Sequence, residues 1–128
     1  LIEDRSTSIR FNVEWPRALR AFTKNPLLGT GYSSITLATD NDYLRALGET
    51  GLLGFGAFIL IFINIFNYFK KIKFDNDLSS IFTVSIIGST IAILITAIFI
   101  DIFEASKFAT MFWLFNGFVI GNINKQYE

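Results

Sequence analysis

Asn25-Pro26-Leu27-Leu28-Gly29-Thr30-Gly31-Tyr32, followed at positions 40–54 by Asp-Asn-Asp-Tyr-Leu-Arg-Ala-Leu-Gly-Glu-Thr-Gly-Leu-Leu-Gly, is the stretch that decides the fold. It is a polar, charge-bearing loop that runs directly into an apolar segment, Gly51 to Phe69, which carries no charge. A junction of this kind belongs to a membrane protein, and any chemistry is expected there. The remaining composition agrees: 52% of the 128 residues are hydrophobic, 15 are Phe, and the mean hydropathy is +0.47. That is too apolar for an ordinary small soluble domain.

Working outward, the first fifty positions hold twelve of the twenty-two charges, while Ile81 to Ile100 holds none. Charge-free runs cover 51–69, 81–100 and 108–123, against about 20 residues needed to cross a bilayer core. We therefore expect an all-α polytopic membrane fragment: an outward helical loop (1–50), then a membrane domain (51–128) with three spans near 51–69, 81–100 and 104–123. The third apolar run is short, so its helix is expected to start earlier and to draw Glu104 and Lys107 to the membrane edge. The chain opens at Leu1 without an initiator Met, and we read it as the C-terminal part of something longer that carries further spans.

Lys70-Lys71-Ile72-Lys73 abuts the first span, and basic clusters of this kind favour the cytoplasmic side. That orientation puts residues 1–50 and the 101–107 turn outside, and Lys125 and the C-terminus inside. The outward loop nevertheless carries Arg5, Arg10, Arg17, Arg20, Lys24 and Arg45. Either neighbouring carboxylates and lipid phosphates balance them, or this face binds an anionic ligand. Zero net charge argues against a nucleic-acid partner. The absence of Cys and His removes thiol nucleophiles, imidazole bases and the usual zinc sites from this chain. Any acid or base must be Asp or Glu, or else Tyr or Lys.

Ser6 to Thr23 has helical character, and Pro16 either kinks that helix or sits in the first turn of a shorter one ending near Lys24. On continuous helical spacing Arg10, Glu14, Arg17 and Lys24 share a face. Asn25-Pro26 breaks the helix, and Gly29 and Gly31 allow a tight turn. The turn is either purely structural or an arrangement of backbone amides around an oxyanion. Thr39-Asp40-Asn41 offers caps for a helix over Asp42 to Thr50, with a stop at Gly51. Within it Arg45 is spaced to bridge Asp42 and Glu49. Glu104 and Lys107 form either one ion pair or part of the site. Asn64, Asn67 and Asn116 are expected to make helix-to-helix hydrogen bonds.

Arg10, Trp15, Ala18-Leu19, Asn25-Pro26-Leu27-Leu28-Gly29-Thr30-Gly31, Asn41-Asp42-Tyr43-Leu44 and Glu49-Thr50-Gly51-Leu52-Leu53-Gly54 together resemble the O-antigen ligase and O-antigen polymerase superfamily. The resemblance covers the outward loop and the spans after it. It implies a multi-pass protein of the cytoplasmic membrane. The implied reaction is metal-independent and cofactor-free: a glycan moves from an undecaprenyl-pyrophosphate carrier to a sugar or lipid-core acceptor at the outer face. In the ligases a His, thought to be the base, precedes the Asn of this motif; here the position is Asp40, and a carboxylate can do that work. The family also places an arginine just before an aromatic residue, as Arg10 stands before Trp15, with one residue more between them here.

On this resemblance the expected site is Asp40 as base, with Arg10, Arg17 and Arg45 holding pyrophosphate through their planar forks. Asn41, Tyr43, Glu104 and Lys107 are secondary candidates. As a helix cap, Asp40 would have a purely structural role. A transporter or flippase fragment is the rival reading, and it requires ionisable residues inside the spans. An inert anchor is a third, and it has no need of a basic loop or a compound Gly and Asn motif.

Overall fold

Proline lacks the amide that an α-helix needs four residues after each carbonyl, and Pro16 shapes the first helical run accordingly. In the computed structural model, which describes residues 5–35, 39–71 and 78–125 with side chains as far as 122, this run has three parts. They are α1 (Arg5–Ile9), a π-helical turn (Arg10–Glu14) and α2 (Trp15–Lys24), with Pro16 in the first turn of α2. The Trp15 amide reaches back to the Arg10 carbonyl across the wide turn. The second of the two expectations for Pro16 is met, and α2 ends at Lys24. The π turn breaks the continuous spacing on which Arg10, Glu14, Arg17 and Lys24 were grouped into one stripe.

After the 25–31 turn come α3 (Asp42–Phe69), α4 (Leu78–Thr96) and α5 (Ser106–Lys125). All regular structure among the described residues is helical, as the composition implied. α3 contains a break at Gly51, whose φ of 66° and ψ of −166° are not helical. The expected stop at Gly51 is therefore a kink between a polar first part of α3 (42–50) and an apolar second part (51–69), rather than an end. α4 begins three residues before the expected 81 and ends four before the expected 100, at Thr96. Its last turn gives way because the Ala97 carbonyl accepts the Asp42 amide at 2.9 Å and tertiary partners recruit Asp101. Among the described residues two helices, α3 and α4, are long and apolar enough to cross a membrane. Of the basic run 70–73, Ile72 and Lys73 lie outside the described residues.

The glycine pattern of the opening stretch is explained by close backbone contact. The 25–31 turn lies against α3 around its kink: Thr30 and Gly31 amides donate to the Gly48 and Glu49 carbonyls at 3.1 and 2.9 Å. In return, Leu52 and Leu53 amides donate to Pro26 and Leu27 at 2.8 and 3.2 Å. A Cβ on Gly29 would collide with the Glu49 carbonyl, and one on Gly51 with the Leu27 carbonyl oxygen at 2.5 Å. Both glycines also have positive φ, so only glycine fits. Gly48 does similar work where α2 crosses α3, its bare face against Ile35 and the Ala18 carbonyl.

Among the long helices, Phe62, Ile65 and Phe69 of α3 pack with Phe112 and Val119 of α5. Aromatic edges continue this core outward through Phe58 and Phe103 to Tyr43. Thr90 of α4 donates to Asn116 Oδ1 at 3.1 Å, and Asn122 to Ser79 at 2.6 Å, so α4 and α5 run antiparallel. Asn116 thus makes the expected interhelical bond. Asn64 instead donates to Leu60 in its own helix, and Asn67 is exposed.

Candidate functional site

Two aspartates clasp the start of α3 to the loop after α4. The Asp101 carboxylate accepts the Thr39 amide (2.8 Å), the Asn41 amide (2.9 Å) and Arg45 Nη2 (2.9 Å). Asp42 returns the interaction by accepting the Ile102 and Phe103 amides at 2.8 and 3.2 Å. The tyrosine hydroxyl of Tyr43 donates to the Leu94 carbonyl at 2.7 Å and adds a third tie. Asn41 is the N-cap of α3: its Oδ1 accepts the Leu44 amide at 2.9 Å.

With the cap filled by Asn41, Asp40 is free for something else. The amides on either side of it are held by Asp101, and its own backbone sits at φ 47°, a left-handed conformation that costs a non-glycine residue about 1–2 kcal/mol. That geometry turns the Asp40 side chain toward the π turn, where Arg10 Nε meets Oδ2 at 2.9 Å. The pair is half-exposed, at 29% and 31% for the two side chains. Arg10 holds one carboxylate oxygen, and among the described residues the other is left as an acceptor.

Glu14, one turn after Arg10, belongs to the same group. Burial, followed by the charge of Asp40, pushes its carboxyl above the ordinary glutamate value, with Arg10 and Arg17 pulling the other way. Its Oε2, the Trp15 indole nitrogen and the Thr39 hydroxyl are buried without a hydrogen-bond partner among the described residues. Orphaned polar atoms at this density are unusual in a folded chain. Of the three residues, Glu14 is coupled by charge to Asp40 and Arg10, and Thr39 precedes Asp40 in the chain.

Arg45 has three acidic neighbours: Asp101, Glu104 at 3.0 Å and Glu49 at 3.8 Å. The local bridge predicted from spacing is realised with Glu49, whereas Asp42 is engaged in the clasp. Arg45, Asp42, Glu49, Glu104, Phe58 and Phe103 border a cleft of about 370 Å³. The Arg10–Asp40 pair lies outside that lining and is joined to it through Asp101. Glu104 pairs with Arg45 and not with Lys107, which is exposed. Arg17 makes no ion pair with either group: it acts on Glu14 only through its charge, and it lines a second pocket with Arg20 and Lys24.

The glycine turn does not cradle an oxyanion. The Gly29 amide donates to Asn25, and those of Thr30 and Gly31 to α3 carbonyls, so the reading of converging amides is corrected to the structural one. Sequence reasoning missed the roles of Asp101 and Glu14 and the clasp made by Asp42. All three are single carboxylates whose partners lie far along the chain or on a face redirected by the π turn. Neither a family model, nor a curated protein, nor a solved structure matches the chain.

Proposed function

We propose that the chain is part of a membrane glycan transferase that moves a glycan from an undecaprenyl-pyrophosphate carrier to an acceptor hydroxyl, in the manner of O-antigen ligases and polymerases. The observation that carries this reading is the Arg10–Asp40 pair. Two residues thirty positions apart, each singled out by the resemblance, meet at 2.9 Å. Asp40 is held there in a left-handed backbone conformation, an outlier of the sort that clusters at functional sites. The residue that lengthens the Arg10 to Trp15 spacing falls in the π turn, a widening frequently found at such sites.

In the reaction, Asp40 accepts the proton of the acceptor hydroxyl as that oxygen attacks the anomeric carbon. The bond from that carbon to the phosphate oxygen breaks, and the pyrophosphate leaves as an anion. Arg10 orients the carboxylate and supplies positive charge to the leaving group. Arg45, enclosed by carboxylates, positions the 39–42 segment through Asp101. α5, 20 residues long and antiparallel to α4, serves as the third span. The helical loop faces the outer side of the cytoplasmic membrane, with Lys70 and Lys71 inside. Among the described residues, the charged groups gather outside 51–69 and 78–96, which supports transfer over a transport pathway.

The test is transfer from an undecaprenyl-pyrophosphate glycan by the full-length protein as wild type, Asp40→Asn and Arg10→Ala. Loss of about a hundredfold or more is expected in Asp40→Asn. Full activity in both variants rejects the site.

A further inference from the structure

α2 turns three cations into one pocket. Arg17, Arg20 and Lys24, with Thr30 and Ser34 from the following turn, line a cavity of about 300 Å³. Among the described residues none of the three has a carboxylate within ion-pair distance, in contrast to Arg10 and Arg45. Arg17 Nη1 is buried and without a hydrogen-bond partner among the described residues. Three converging like charges repel one another, so the arrangement favours an anion between them.

The hydroxyls suit an oxyanion with several acceptor atoms. Thr30 Oγ1 and Ser34 Oγ are 2.6 Å apart, and Thr30 Oγ1 also lies 3.2 Å from the Gly48 carbonyl. When Thr30 donates to Gly48, Ser34 donates to Thr30 and no proton is left over. When Thr30 donates to Ser34 instead, the Ser34 proton is released toward the pocket. A small shift of one proton thus converts a closed pair into a donor.

The pocket is also placed at a boundary. Lys24 and Thr30 bracket Leu27 and Leu28, which are exposed at 61% and 65%. That tip is hydrogen-bonded to Leu52 and Leu53, at the start of the first span, and these too are exposed. The four exposed leucines adjoin the start of the first long apolar helix run, and cations beside such an apolar entry suit the phosphates of a lipid surface.

We propose that Arg17, Arg20, Lys24, Thr30 and Ser34 form a phosphate-binding site at the membrane surface. The adjoining leucines favour a phosphate carried on an anionic lipid headgroup over one in solution. The site is separate from the transfer chemistry and holds whether or not the chain moves glycans.

The test uses the protein reconstituted in nanodiscs of phosphatidylcholine, of phosphatidylcholine mixed with phosphatidylglycerol, and of phosphatidylcholine with soluble inorganic pyrophosphate. Melting temperature and lipids retained in native mass spectrometry are read for wild type, for Arg20→Gln with Lys24→Gln, and for Arg17→Gln. Both residues of the double variant are exposed, so its fold is retained. Wild type is expected to retain phosphatidylglycerol and to melt higher in its presence, with affinity falling roughly tenfold or more in the double variant. A response to pyrophosphate alone, lost in the variants, keeps the site and moves the phosphate to solution. No response to either probe, or a response unchanged in both variants, overturns the proposal.

Discussion

Replacing Asp101 by Asn keeps its shape and removes its charge, which isolates the clasp. Asp101 accepts three donors, the amides of Thr39 and Asn41 and the guanidinium of Arg45, and its side chain is 7% exposed. An asparagine has one acceptor oxygen, so its amide group must face at least one of those donors. Hydrogen bonds to charged groups contribute about 1.5–3 kcal/mol each, and breaking a buried pair about 3–5. With Arg45 keeping Glu104 and Glu49, a cost of about 3 kcal/mol is expected. That corresponds to roughly a hundredfold more frequent opening of the 39–42 segment.

Hydrogen exchange in detergent micelles reads this directly at the Thr39 and Asn41 amides. The same variant should relax the backbone of Asp40 and release it from Arg10, and under the proposed function it should lower transfer although neither of those residues is altered. If both amides stay protected to within a factor of about three and the melting point is unchanged, the clasp does not hold Asp40 in place and this reasoning fails.

Glu14 gives a pH signature. Its carboxyl is raised by burial, so the folded state holds the proton more tightly than the unfolded chain. The associated stability is fully present below the ordinary value of 4.5 and is lost as pH climbs from there through the raised one. Glu14→Gln should remove that slope from a pH series of melting points, and an identical slope in the variant would exclude this source. Gly29→Ala and Gly51→Ala should each cost more than about 3 kcal/mol, since positive φ is compounded by collision with a carbonyl. Gly31→Ala, with φ of 101° and open space around it, should cost only about 1–2. Equal melting points for the three would contradict the close approach of the two strands of backbone. Asn116→Ala should lose about 1 kcal/mol of α4–α5 association, measured by reversible unfolding in micelles.

Local signals made much of this protein legible. The apolar runs, the helix break at Asn25-Pro26 and the capping segment before Asp42 are each a property of neighbouring residues, because span length, proline geometry and caps act over a turn or two. The two helices long and apolar enough to cross a membrane, the all-α content and α2 ending at Lys24 therefore follow from the residues in order. The kink at Gly51 was half visible: glycine announced a stop, but only the turn packed against it shows that α3 resumes.

What tertiary structure alone decided is which charges distant in sequence meet. Asp40 and Arg10 are thirty positions apart and Asp101 lies sixty from Asn41, and no pattern of spacing predicts such partners. The π turn moved Arg10 and Glu14 toward Asp40 and left Arg17 with Arg20 and Lys24, dividing a stripe that helical periodicity had drawn as one. Periodicity assigns residues to faces of an ideal helix, whereas ion pairs are fixed by the position of side-chain ends, which a single widened turn displaces by several ångströms.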